Sequence, residues 1–130
     1  MSSKFKGTGV AIVTPFNQDK SVDVAGLKRL TDHIISNGVD YIVILGTTGE
    51  SATLSKREKK TVQETIREAS NGAVPLVLGI GGNDTSGVIE DIKAADFTDM
   101  DALLSVSPYY NKPTQAVIVA HYKAVADASP

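Results

Sequence analysis

Tyr41-Ile42-Val43-Ile44-Leu45-Gly46-Thr47-Thr48-Gly49-Glu50-Ser51-Ala52-Thr53-Leu54-Ser55-Lys56-Arg57-Glu58 carries the pattern that decides the fold. Its first five residues are apolar and crowded with β-branched side chains. They are too few for a helix and show no polar alternation, which predicts a strand covered on both faces. A loop rich in Gly and Thr follows. Ser55 to Glu58 then reads as a capping box, in which the hydroxyl and the carboxylate each accept from the other residue's free backbone amide. The helix so opened carries Val62, Ile66 and Ala69 and stops near Asn71-Gly72.

The same strand, loop and helix recur in both directions. Upstream, Gly9-Val10-Ala11-Ile12-Val13-Thr14 predicts a strand closed by Pro15, which has no amide for a ladder. After an Asn17-Gln18-Asp19-Lys20 turn, Leu27, Leu30, Ile34 and Ile35 fall at helical spacing, and Asn37-Gly38 supplies a left-handed stop. Downstream, residues 74–80 predict a third strand with Pro75 near its start. Asn83, Asp84, Thr85 and Ser86 offer caps for a helix holding Val88, Ile89, Ile92 and Ala95. Residues 101–106 predict a fourth strand, and Pro113 is expected to start a helix that carries Ala116, Val117, Ala120 and Val125. Each helix returns the chain to begin the next strand in the same direction, so the strands are expected to be parallel. The fold class is α/β, and residues 1–130 form one unit without linker, low-complexity tract or composition break.

The chain has 130 residues, no Cys, no Trp, 42% apolar residues, 22% charged residues and a net charge of -2. That is about the length of one ordinary domain. Without Cys there is no disulfide framework and no thiolate metal site, which fits a reducing cytoplasmic setting. Lys and Arg are scattered, whereas a nucleic-acid groove needs clustered cations to displace counterions from phosphates. The opening Met1-Ser2-Ser3-Lys4-Phe5-Lys6 is not followed by the apolar stretch of a signal peptide. No later apolar run approaches the roughly 20 residues of a membrane span. Neither nucleic acid nor membrane is expected as a partner.

In parallel α/β folds the ligand site lies beyond the carboxyl ends of the strands. Three loops there are unusual. Gly46-Thr47-Thr48-Gly49-Glu50-Ser51 joins two glycines, which let amides turn outward, to two adjacent hydroxyls. It reads either as a cradle for a small anion or as a polar turn. Ser107-Pro108-Tyr109-Tyr110-Asn111-Lys112-Pro113 displays two of the chain's four tyrosines between stiffening prolines. A phenol there can handle protons, bind a partner subunit, or simply pack. Gly79-Ile80-Gly81-Gly82-Asn83 is not a dinucleotide turn, which would need Gly at position 84, where Asp84 stands, and no Lys follows as in a phosphate-binding P-loop. His33 and His121 each sit alone in a predicted helix and read as solvated or core residues, and Glu90-Asp91 as a solvated face. No cluster has metal-ligand spacing.

With these loops in hand, the chain resembles the dihydrodipicolinate synthase branch of the pyruvate-dependent aldolase and lyase family. The likeness lies in Ala11-Ile12-Val13-Thr14-Pro15-Phe16, in Gly46-Thr47-Thr48-Gly49-Glu50-Ser51 with Ala52-Thr53-Leu54 behind it, and in Val106-Ser107-Pro108-Tyr109-Tyr110-Asn111-Lys112-Pro113. Order and spacing match over essentially the whole chain. Sister members, the N-acetylneuraminate lyases among them, more often show Ser before the second Thr of the loop, so the doubled Thr favours the dihydrodipicolinate synthase branch.

The resemblance implies the first four βα units of a TIM (β/α)8 barrel. It implies a lysine that forms a Schiff base with pyruvate, whose enamine attacks aspartate semialdehyde in lysine biosynthesis, without cofactor or metal. Gly46, Thr48 and Gly49 would bind the pyruvate carboxylate. Thr47 and Tyr110 would be catalytic, passing protons in a relay with a second tyrosine, and Tyr110 would reach into a neighbouring subunit of a homo-oligomer, a tetramer built as a dimer of dimers. Ser51, Ala52, Gly81, Asn83 and Tyr109 would match an allosteric lysine pocket. Lysine-sensitive members usually place an acid where Gly87 stands and a His where Lys56 stands, so feedback is expected to be weak or absent.

A barrel of this kind runs to about 250 residues. The second relay tyrosine and the Schiff-base lysine belong to later strands, so this chain is expected to hold neither and to be inactive alone. Other readings are a related pyruvate aldolase such as an N-acetylneuraminate lyase, a flavodoxin-like ligand-binding module, and an inactive half-barrel serving assembly.

Overall fold

The computed structural model describes residues 3–130; Met1 and Ser2, which open the segment read above for a leader, lie outside the described residues. After a 3-10 turn (Ser3–Phe5) come β1 (Gly9–Ala11), α1 (Val24–Ser36), β2 (Tyr41–Ile44), α2 (Lys56–Ser70), β3 (Leu76–Gly79), α3 (Thr85–Ala94), β4 (Ala102–Leu104) and α4 (Gln115–Ala128). The four strands are parallel and ordered β1-β2-β3-β4, with Ala11, Val43, Val77 and Ala102 in one row across the sheet.

This order separates two architectures that share the alternating pattern. Every strand lies beside its predecessor, and crossovers of one hand then put all the helices on one face. A doubly wound module reverses direction partway across its sheet. The flavodoxin-like alternative is therefore excluded, and the chain forms four successive units of a (β/α)8 barrel.

The core lies between sheet and helices. Ile42, Ile44, Leu76 and Leu78 point to the helix side and are buried with Ile12, Leu27, Val62 and Ile66. Each such side chain contributes about 1.5–3 kcal/mol of transfer free energy. A second cluster joins Val88 and Ile92 of α3 to Val125 of α4. The other face of the sheet is open: Val13, Leu104 and Val106 are exposed, and Tyr41 and Val43 only half-buried. The expectation of strands covered on both faces thus holds on the helix side alone. At the amino-terminal end of the sheet the Tyr41 ring crosses over Gly9, where a Cβ would lie 2.0 Å from it, and meets Phe5 edge to face.

The helix ends follow their caps. Asp23 accepts from the Gly26 amide at the start of α1, and Gly38 (φ +84°) ends that helix region. The capping box of Ser55 and Glu58 is present, and Asn71 closes α2 in the left-handed region. Asp84 accepts from the Ser86 and Gly87 amides ahead of α3. One expectation is corrected at α4. Thr114, not Pro113, marks its start, because the Thr114 hydroxyl takes the Val117 amide and Pro113 precedes the cap. Its buried residues are His121 and Val125, whereas Ala116, Val117 and Ala120 are exposed. No helix among the described residues is long and apolar enough to cross a membrane.

Candidate functional site

Because the strands are parallel, Thr14, the loop after Ile44, the loop after Gly79 and the loop after Leu104 gather at one end of the sheet. β2 leaves its ladder through Leu45, which is buried yet left-handed (φ 57°). That conformation costs a side-chain-bearing residue roughly 1–2 kcal/mol, and burial of the side chain outweighs it. The carbonyl oxygen that Leu45 turns sideways needs Gly79 beside it, since a Cβ on Gly79 would lie 2.6 Å from that oxygen and 3.0 Å from the Gly46 amide nitrogen. Backbone strain of this kind tends to collect where a loop is held for a task.

Thr47–Gly49 forms one turn of 3-10 helix, closed by the Gly49 amide on the Gly46 carbonyl and the Glu50 amide on the Thr47 carbonyl, both at 3.0 Å. The Thr47 and Thr48 amides open this turn and have no acceptor within it. Both side chains are exposed. Glu50 (φ 56°) then leads into a second 3-10 turn, Ser51–Thr53. The sequence suggested that both glycines were needed to turn amides outward. Instead Gly46 keeps an ordinary φ of -69°, and Gly49 makes room: its Cβ would lie 3.3 Å from the Ile12 carbonyl oxygen. The fastening is Thr14, 4% exposed, whose hydroxyl donates to the Gly49 carbonyl at 2.7 Å. Sequence reasoning gave Thr14 no role of its own; its signals were a polar residue closing an apolar run before Pro15 and its place in the Ala11-Ile12-Val13-Thr14-Pro15-Phe16 stretch.

After β4, the loop carrying Tyr109 and Tyr110 is shaped by Pro108, Pro113 and two left-handed residues, Tyr110 (φ 70°) and Lys112 (φ 48°). The Asn111 amide donates to the Tyr109 carbonyl at 2.8 Å. Tyr110 is 89% exposed, so its ring packs against almost nothing in this chain. Thr47 and Tyr110 are brought to the same end of the sheet but not together: no hydrogen bond joins them among the described residues. Lys112 is an exposed loop residue, as read from the sequence.

A cavity of about 390 Å³ lies between α2 and α3, and Ser51 and Gly81 line it with Lys56, Lys59, Gln63 and Asp91. Ala52, Asn83 and Tyr109 are not in its wall. The Lys56 ammonium stands 3.4 Å from the Asp91 carboxylate. At the start of α2, the Ser55 hydroxyl and amide hold the Glu58 carboxyl below the usual carboxylate range. His33 is exposed and bonded to Asn37, while His121 is a core residue. No group of three or more His, Asp or Glu among the described residues is placed to hold a metal ion.

The model of the dihydrodipicolinate synthetase family matches residues 4–130. The 4-hydroxy-tetrahydrodipicolinate synthase of Flavobacterium psychrophilum is 60% identical over 126 residues, which are 97% of this chain and 43% of that protein. The synthase of Cytophaga hutchinsonii is 56% identical over 126 residues, 97% of this chain and 42% of that one. The crystal structure of the dihydrodipicolinate synthase of Acinetobacter baumannii, in complex with pyruvate, superposes with a TM-score of 0.89 at 46% identity, over 94% of this chain and 42% of that one. The chain thus spans less than half the length of the relatives it matches.

Proposed function

Since the chain belongs to the dihydrodipicolinate synthetase family, we propose that it supplies the pyruvate-carboxylate half of the active site of a 4-hydroxy-tetrahydrodipicolinate synthase. In this reading, pyruvate is bound as a Schiff base on a lysine of a later strand, and its enamine carbon attacks the aldehyde of aspartate semialdehyde. The observation that carries the reading is the loop 46–49, which offers two helix-opening amides and two hydroxyls beyond β2 and is fastened by Thr14 to the segment after β1. Thr48 and the amides hold the carboxylate; amides and hydroxyls converging on one point replace its water shell.

Thr47 passes protons between the reacting centre and a pair of phenols, of which Tyr110 is one. The bare Tyr110 ring suits a residue completed by another subunit, so the enzyme is read as a homo-oligomer, a tetramer made of two dimers. Its setting is the cytoplasm, where a chain without Cys loses nothing to reduction.

The test is borohydride trapping with pyruvate in a barrel completed by the remaining strands, followed by condensation with aspartate semialdehyde. A reduced pyruvate adduct on a lysine outside residues 1–130, and turnover that falls at least tenfold in Thr47→Val, support the reading. A completed barrel that neither traps pyruvate nor turns over refutes it.

A further inference from the structure

Tyr122, midway along α4, reaches back over the end of β4. Its hydroxyl donates to the Ser105 carbonyl oxygen at 3.1 Å and stands 3.0 Å from Ser107 Oγ. The ring leans edge to face on the His121 imidazole, with centroids 5.4 Å apart. His121 is 2% exposed, and its Nδ1 lies 2.8 Å from the hydroxyl of Thr85, the first residue of α3. Two neighbouring side chains of one helix therefore bind the start of α3 and the loop after β4 to a common support.

What this support controls follows from the exposure of Tyr110. A ring so bare receives no placement from packing, so the backbone alone sets the direction in which its phenol leaves the loop. That backbone is stiff between its ends, with Pro108, Pro113 and left-handed residues at 110 and 112. A stiff loop takes its orientation from its anchors. One anchor is the Thr114 cap on the Val117 amide; the other is Tyr122 on residues 105 and 107.

We propose that Tyr122 is a positioning residue for Tyr110: its hydroxyl clamps residues 105–107 and so fixes where the Tyr110 phenol is presented. The proposal rests on the reading of Tyr110 as a relay phenol. Tyr122 itself touches no reacting atom, and its neighbour Ser107 shares the clamp.

Tyr122→Phe keeps the ring and its contact with His121 and removes both hydrogen bonds. Two readouts test it. In the 130-residue chain, hydrogen exchange at the Asn111 amide is expected to quicken about tenfold, with the amides of α4 and the sheet unchanged. In the completed barrel, kcat is expected to fall about tenfold with the KM for pyruvate within about twofold, because the carboxylate loop hangs from another strand. Ser107→Ala added to Tyr122→Phe should cost nothing further, since both act through one contact. Unchanged exchange at Asn111 overturns the clamp. A wild-type kcat in Tyr122→Phe, or kcat and KM changing together with a lowered Tm, overturns the positioning role. If the wild-type barrel fails to trap pyruvate, the family reading fails, and the Asn111 exchange still decides the clamp.

Discussion

The Thr14 hydroxyl donates a 2.7 Å hydrogen bond to the Gly49 carbonyl oxygen, across 35 residues of sequence, and so makes the segment that follows β1 the floor of the loop after β2. Thr14→Val keeps the shape and removes the donor. A buried carbonyl deprived of its side-chain donor costs about 1–3 kcal/mol. The expected outcome is a lower urea midpoint for the chain and a several-fold higher pyruvate KM in the completed barrel, with Thr14→Ser close to wild type. A wild-type KM in Thr14→Val would separate this bond from carboxylate binding.

Gly79 and Gly49 make room in different degrees, which gives an ordered prediction. A methyl on Gly79 meets the Leu45 carbonyl oxygen at 2.6 Å and the Gly46 amide at 3.0 Å, both backbone atoms. On Gly49 the nearest atom is the Ile12 carbonyl oxygen at 3.3 Å, a contact that a shift of a few tenths of an ångström relieves. Gly79→Ala should therefore destabilise by about 1–3 kcal/mol and displace the Leu45 turn, and Gly49→Ala by less. Chemical denaturation of both variants reads the order directly; equal losses would count against the close approach at Gly79.

The strands were legible because each lies in a short apolar run with no polar alternation, and the capping box at Ser55 and Glu58 placed the start of α2 to the residue. The face of α4 was not, because Gln115–Ala128 is apolar nearly all round and its periodicity selects no side. Only the packing of Val125 against Val88 and Ile92 selects one. Thr47, Thr48 and Tyr110 could be named from their motifs. Thr14, Gly79 and Tyr122 could not, because each acts through a partner on another strand or loop that only the fold brings near.

The open face of the sheet predicts the behaviour of the chain by itself. β1 and β4 have unpaired edges among the described residues, and Val13, Leu104 and Val106 are exposed between them. Unpaired parallel edges beside apolar surface recruit further strands. The purified 130-residue chain should associate in a concentration-dependent manner or aggregate, and show no turnover with pyruvate and aspartate semialdehyde. Light scattering and a coupled assay check this; a monodisperse monomer with activity would contradict it.

Acid sensitivity is expected from Asp96. The Thr98 hydroxyl and amide, then the Arg67 guanidinium at 2.9 Å, lower its carboxyl to about 2. A carboxyl whose pKa is lower in the folded than in the unfolded chain contributes stability that is present above the unfolded value, about 3.9. That contribution disappears as pH falls through the folded value. Asp96→Asn should therefore lie below wild type in unfolding midpoint at pH 5 and converge with it as pH drops from about 4 to 2. Parallel midpoint curves over that range would show that Asp96 is not coupled to folding.

Under the proposed function, lysine should be a poor inhibitor of the completed barrel. The cavity between α2 and α3 presents the Lys56 and Lys59 ammonium groups to whatever enters by Ser51 and Gly81. Each carboxylate of its wall is already beside a cation, Asp91 at 3.4 Å from Lys56, Glu64 at 3.8 Å from Lys60 and Asp96 at 2.9 Å from Arg67, and position 87 is Gly and not an acid. A cationic amino acid would meet like charge without a free counter-ion, and like-charge repulsion at short range opposes binding even where solvent weakens it. Isothermal titration of lysine into the completed enzyme should give no tight binding, and millimolar lysine should leave kcat unchanged. The double substitution Lys56→His and Gly87→Glu removes one cation from the wall and adds a carboxylate on α3, and should create or strengthen binding. Tight lysine binding to the wild-type protein would show that the pocket draws its specificity from groups other than these two.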